Sequence, residues 1–187
     1  MRMLADRLRS STATLYRHAA SKAEILAYVV DRVLGELTAQ HGDASGQTWQ
    51  QACVRIAEEL DRVLNAHPKL IPLLASQIPI GPNGLRIRER GIAAFLTKGF
   101  PPELAARAYT TMAHYVIGFA IQQHAAGVRE PRESANLRRF YRKLDAKAYP
   151  ATITVAEYLP GASVDDEFHF GLKMVVDGLD LARRFCS

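Results

Sequence analysis

The chain has 187 residues, 48% of them hydrophobic and 23% charged, with a formal net charge of +5. That balance is ordinary for a folded globular protein and excludes disorder as the default. No apolar run approaches the roughly 20 residues of a membrane-spanning helix. The opening stretch MRMLADRLRSS, with scattered charges and no apolar segment, is not a secretion signal. Cys53 and Cys186 stand at neither metal-type nor redox-type spacing and are read as free thiols of a reducing cytoplasm.

In chain order, the pattern is helical almost throughout, with the β-branched stretch Ala151–Val155 as an isolated exception. Leu4 and Leu8 stand four apart, and Ser10, Ser11 and Thr12 then interrupt. A second short helix carries Leu15 and Tyr16, with Ser11 or Thr12 as its N-cap. A third starts near Ser21, where Glu24 completes an S-x-x-E capping box, and continues through Ile25, Val29, Val33 and Leu37. Gly42–Gly46 is a break. Trp49 to Leu64 places Cys53, Ile56, Leu60 and Leu64 on one stripe. His67-Pro68 ends it, and Lys69 to Leu74 is a short helix. The breaker-rich stretch 78–84 predicts a loop, and Leu85 to Lys98 a helix stopped by Gly99 and Pro101-Pro102. A long apolar helix runs from Glu103 to about Ala126. The polar stretch 129–160 holds an interrupted helix or loop, and the last helix runs from about Asp165 to Arg184. The basic run Arg138, Arg139, Arg142, Lys143 and Lys147 reads as a solvated helix face.

Two short helices joined by a tight turn and followed by a longer one read as a helix-turn-helix. The second helix has to enter the major groove with a few side chains facing bases, while its flanks meet phosphates. Thr12, Thr14, Tyr16, Arg17 and His18 supply the hydrogen-bonding groups for that task, and Lys22 stands at a phosphate position. Residues 1–22 carry Arg2, Arg7, Arg9, Arg17 and Lys22 against Asp6 alone, a charge balance suited to a polyanion.

The run Leu4-Ala5-Asp6-Arg7-Leu8, Thr12-Ala13-Thr14-Leu15-Tyr16-Arg17-His18 and Ser21-Lys22-Ala23-Glu24-Ile25-Leu26 resembles the signature of the tetracycline-repressor (TetR) family. The resemblance implies an all-α chain. Residues 1–40 would form a truncated, homeodomain-like DNA-binding head with its connecting helix, and 41–187 a helical-bundle domain for ligand binding and dimerisation. It implies Arg2, Thr12, Ala13, Thr14, Tyr16, Arg17, His18 and Lys22 as DNA-facing residues on double-stranded operator DNA. Three positions depart from the signature. Arg9 replaces the turn glycine, Ser10 the next apolar residue, and Ala19 the aromatic after the histidine. The family also carries a helix before this run, which is absent here; either it lies upstream of the recorded start or the head is loosened.

Trp49-Gln50, His67-Pro68, Gly99-Phe100, His114–Gly118 and Phe168–Leu172 followed by Asp177–Leu179 are similar to the C-terminal domain of the same family. A homodimer through the helices at 103–126 and 165–184 is implied, with Gly118, Gly171 and Gly178 allowing close approach. The polar residues that grip tetracycline and its magnesium fall here at Ile56, about Gly91, Leu74 or Ala75, and about Ala125, so neither that drug nor a metal or other cofactor is expected. A small hydrophobic effector fits better. Its candidate contacts are Ile56, Leu60, Leu74, Gln77, Ile78, Leu85, Ile92, Phe95, His114, Gly118 and Gln122. The reading is a non-enzymatic, cytoplasmic, ligand-responsive repressor with no membrane partner. No G-x-S-x-G, phosphate-cradling loop or histidine pair supports an enzyme. The rival reading is a small-molecule-binding dimer that has lost DNA binding.

Overall fold

The protein is described from a computed structural model covering residues 2–7, 9–38, 46–126, 131–160 and 163–185, without the side chains of residues 2, 4, 18, 38, 126 and 131. All regular elements among these residues are helical. They are α1 (Arg2–Arg7), α2 (Thr12–His18), α3 (Lys22–Thr38), α4 (Trp49–Ala66), a 3-10 turn (Pro68–Leu70), α5 (Ile71–Ser76), α6 (Pro82–Leu96), α7 (Pro102–Ala126), α8 (Pro131–Arg142), α9 (Pro150–Thr154) and α10 (Val164–Phe185). Among the described residues no helix is long and apolar enough to cross a membrane. Two compact units form, Met1–Ile117 and Gly118–Ser187.

Local chemistry explains most helix ends. Ser11 caps α2, its Oγ accepting from the Thr14 amide at 3.0 Å. At the head of α3, Ser21 Oγ accepts from the Glu24 amide, and the Glu24 carboxylate reaches back to the Ala20 amide at 2.6 Å. Thr48 and Gln51 form a full capping box on α4. The ends of α1 and α6 close in the same way. Gly99, at φ +82°, lets its amide donate to Leu96 while the Phe100 amide donates to Phe95. After α1, Arg9 donates to Asp6 and Ser10 to Ala5, with Arg9 at φ +47°. This pair of bonds is the Schellman closure, which needs a left-handed residue.

Arg9 therefore takes a conformation that glycine adopts freely and other L-residues adopt at a cost of roughly 1–2 kcal/mol. Replacing it with glycine is expected to stabilise the head by up to about 1 kcal/mol, read as slower amide exchange in α1 and α2. Faster exchange would show that the arginine side chain contributes more than its backbone costs.

Two stretches differ from the sequence expectation. Helix α6 starts at Pro82, inside the expected 78–84 loop. Proline suits the first helical position, and the following amides find an acceptor far away in sequence, described below. The β-branched stretch at 151–155 is helical through Thr154, started by Pro150 and back-bonded by Thr154 Oγ1 to the Pro150 carbonyl. With no neighbouring strand to pair with among the described residues, β-propensity has nothing to act on. The break expected at 42–46 lies outside the described residues except for Gly46, and Cys186 lies outside them altogether.

The core of the first unit is built on Trp49, Phe95 and Phe100, with Phe100 packed at 5.0 Å from each of the other two rings. Leu64 is fully buried, as are Ala105 and Ala108 on α7. Val30, Leu34 and Leu37 of α3 are buried as well. In the second unit Phe168, Leu172 and Val176 form the buried stripe of α10, and Phe119 meets Phe168 edge-on at 5.3 Å. Acidic residues open α10 and arginines close it, in the sense the helix dipole favours. The basic run is mixed: Arg139, Arg142, Lys143 and Lys147 are exposed, Arg138 is half-buried, and Arg142 pairs with Glu157.

Candidate functional site

Two regions of the first unit carry chemistry. In the head, α1 packs on α2, and Ala5 of α1 and Ala19, the C-cap residue of α2, are buried. On α2, Ala13, Tyr16 and Arg17 are exposed, while Thr12 and Thr14 are half-buried. Lys22 stands exposed at the first position of α3. Of the remaining DNA candidates, Arg2 falls in α1 and His18 ends α2, their side chains outside the described set. The alanine at position 19, where the signature has an aromatic, is 5% exposed.

Helices α3, α4, α5, α6 and α7 line two apolar cavities of about 110 and 70 Å³, both open to the surface. Ile56, Leu60, Ile87, Tyr109 and Ala113 line both. A glycine at position 91 makes this arrangement possible. A Cβ there would lie 2.8 Å from Tyr109 Cδ2, so any side chain would drive the tyrosine ring off α6. The larger cavity extends to Leu34 and Leu37 of α3 and to Leu74 of α5. The smaller one reaches Cys53, Met112, Val116 and Phe95.

Of the sequence-derived ligand candidates, Ile56, Leu60, Leu74 and Phe95 stand on these walls. Gln77, Ile78 and Leu85 are exposed, and Ile92 is half-buried on α6, off both walls. His114 is exposed on α7; Gly118 and Gln122, also exposed, belong to the second unit. Periodicity on α6 was informative here: Gly84, Ile87, Gly91 and Phe95 make its inward stripe, which a start at Leu85 obscured. The arginines within and beside this stripe, Arg88 and Arg90, also line the larger cavity. Its carboxylate, Glu59, pairs with Arg55 at 3.3 Å. Among the described residues there is no cluster of three metal-ligating side chains.

Cys53 is a free, buried thiol on the wall of the smaller cavity. Burial pushes it up from an ordinary value near 9 to about 12. The folded state therefore holds the proton where the unfolded chain releases it. The associated stability is fully present below pH 9 and is lost as pH rises from about 9 towards 12. In the folded protein at pH 8, alkylation at Cys53, followed by peptide mass, is expected to be negligible and to appear only in denaturant. Rapid labelling without denaturant would show that the cavity opens far enough to ionise the thiol.

One latch joins α3 to α6. The Asp31 carboxylate of α3 accepts from the amides of Asn83 and Gly84 at 3.0 and 2.9 Å, and Asn83 Nδ2 donates to Asp31 Oδ2 and to the Asp31 carbonyl. Gly81 supplies no cap of its own, so Asp31 caps α6 from another helix.

Two short helices joined by a tight turn thus lead into a longer helix that walls an apolar cavity. Residues 42–182 match the family model described as tetracyclin repressor-like, C-terminal domain, and the chain belongs to that TetR family. An HTH-type transcriptional regulator of Saccharopolyspora erythraea is 32% identical over 187 residues, spanning 96% of this chain and 75% of the relative. The HTH-type transcriptional repressor DrrR1 of Streptomyces coeruleorubidus is 29% identical, spanning 97% and 69%. Among solved structures, the TetR family protein ActR of Streptomyces coelicolor, in complex with actinorhodin, matches with a TM-score of 0.88 at 26% identity. That match covers 98% of this chain and 87% of ActR.

Proposed function

We propose that the protein is a ligand-responsive, DNA-binding transcriptional repressor, released from its operator by a small, largely hydrophobic effector. The observation that carries this reading is the double role of α3: Lys22 stands at its start beside the head, and Leu34 and Leu37 near its end line the larger cavity. A molecule filling that cavity bears on the same helix that carries the head. Differential affinity for two positions of α3 is what any effector needs in order to act. Likeness to a named repressor and to a regulator solved with a small molecule supports the same reading.

In this proposal the head, residues 1–40, meets DNA through Arg2, Thr12, Ala13, Thr14, Tyr16, Arg17, His18 and Lys22, while 41–187 binds effector and dimerises. Phe170, Met174, Leu181 and Phe185, all exposed on α10, offer an apolar face for a second copy. Two heads on one dimer would then bind half-sites about one helical turn apart.

The test is binding of the protein to DNA flanking its own gene at two salt concentrations. Sequence-specific binding is expected. Arg17→Ala is expected to weaken it about tenfold, and Lys22→Ala to lower the salt slope by about one. An unchanged slope in Lys22→Ala would remove the phosphate role. Absence of specific binding at either salt would transfer support to the rival reading, a small-molecule-binding dimer.

A further inference from the structure

We infer that the effector is an anionic amphiphile, an aromatic or aliphatic body bearing a carboxylate, sulfonate or similarly charged oxygen group, with Arg88 and Arg90 as the residues that select it. The inference rests on the cavity being the effector site, as proposed above.

Arg88 and Arg90 are both half-buried and both line the larger cavity. Arg88 occupies the inward stripe of α6, one position after Ile87 and three before Gly91, where an amphipathic helix ordinarily places an apolar residue. The carboxylate on the same wall does not neutralise them, because Glu59 is engaged by Arg55 from its own helix. Neither arginine has a hydrogen-bond or ion-pair partner among the described residues. Burial alone lowers the Arg90 guanidinium from its ordinary range, with no carboxylate to offset it.

A half-desolvated guanidinium without an acceptor is unfavourable, and its natural complement is a planar oxyanion that accepts two parallel N–H donors. Apart from Glu59, the rest of the wall is apolar, with the Tyr109 ring among its residues, so it accommodates an apolar body. A neutral hydrophobe would fill the same space but leave both cations uncompensated. A cationic ligand would add a like charge.

Two fluorescent probes that differ by one group separate these cases: 1-anilinonaphthalene-8-sulfonate and its uncharged counterpart N-phenyl-1-naphthylamine. Each is titrated into the full chain, into Arg88→Gln/Arg90→Gln, and into Arg86→Gln. Arg86 serves as a control because it is exposed on the same helix, bonded to Asn83 and away from the cavity wall. The sulfonate is expected to bind the parent chain about tenfold more tightly than the neutral probe. The double variant is expected to lose that preference while keeping its affinity for the neutral probe, which also reports that the cavity is intact. Arg86→Gln is expected to keep the preference. Equal affinities for the two probes, or a preference that survives in the double variant, would overturn the inference and leave a neutral effector site standing. Failure of both probes to bind the parent chain would overturn the cavity reading itself.

Discussion

Phe100→Ala destabilises the first unit by about 4 kcal/mol, the largest effect expected of any single truncation here. Phe100 is 3% exposed and touches both other aromatics of its cluster at 5.0 Å, edge-on in each case. Truncation removes the ring from water-free packing, leaves a cavity that rigid neighbours fill only in part, and forfeits two edge-to-face contacts of about 0.5–1.5 kcal/mol each. It also strips the apolar contact that accompanies the closure of α6, since Phe100 follows Gly99 and packs on Phe95. Trp49, the single tryptophan, lies in the same cluster and reports unfolding of this unit by its own fluorescence in a urea titration. Phe140→Ala, at a side chain 59% exposed, is expected to change stability by less than about 0.5 kcal/mol. A loss below about 1 kcal/mol for Phe100→Ala would mean that the cluster does not organise the unit.

Asp31→Ala is expected to cost about 2–3 kcal/mol, more than a surface carboxylate contributes. The removed side chain accepts from two backbone amides in the first turn of α6 and from the Asn83 amide nitrogen. Those backbone donors have no intrahelical acceptor, and they lie where the α3–α6 contact shields them from water. Asp31→Asn keeps a carbonyl oxygen for one donor and is expected to recover about half of the loss. Gly81→Ala tests the same latch from the other side, because a Cβ there would stand 2.4 Å from the Asp31 carboxyl carbon and expel it. If the regulator reading holds, both variants also blunt effector-driven release from DNA, because α3 then moves without α6. Wild-type stability in Asp31→Ala would show that water caps α6 as well as the carboxylate does.

These two sites differ in how visible they are in the sequence. The stop at Gly99 and the aromatic after it could be read directly, because a Schellman closure is a local event with local chemistry. The same holds for the Ser21 cap and for the stripe from Cys53 to Leu64 on α4, while for α2 the sequence leaves the cap between Ser11 and Thr12, and in the structure it is Ser11. Asp31 could not be read this way. Its partner is 52 residues away, and nothing near Pro82 signals that a cap arrives from another helix. For that reason the sequence places the start of α6 at Leu85; of the three ligand candidates it names on that helix, Phe95 stands on a cavity wall, and Leu85 and Ile92 do not.

By itself, then, the sequence determined an all-helical chain, the order and approximate ends of its helices, the helix-turn-helix run and the family. The helices depend on spacings of a few residues, where hydrogen-bond geometry and side-chain periodicity leave little choice, whereas the family was read from the resemblance of the run at 4–26 to a known signature. Only the structure showed that α1 ends in a Schellman closure with Arg9 in the left-handed conformation, because an arginine at that position does not announce a positive φ as a glycine would. Only it decided which faces of α3, α4, α6 and α7 surround empty space. A stripe of Ile, Leu and Gly reads the same whether it meets another side chain or a cavity, and the difference lies in how four helices from distant parts of the chain fail to fill the volume between them.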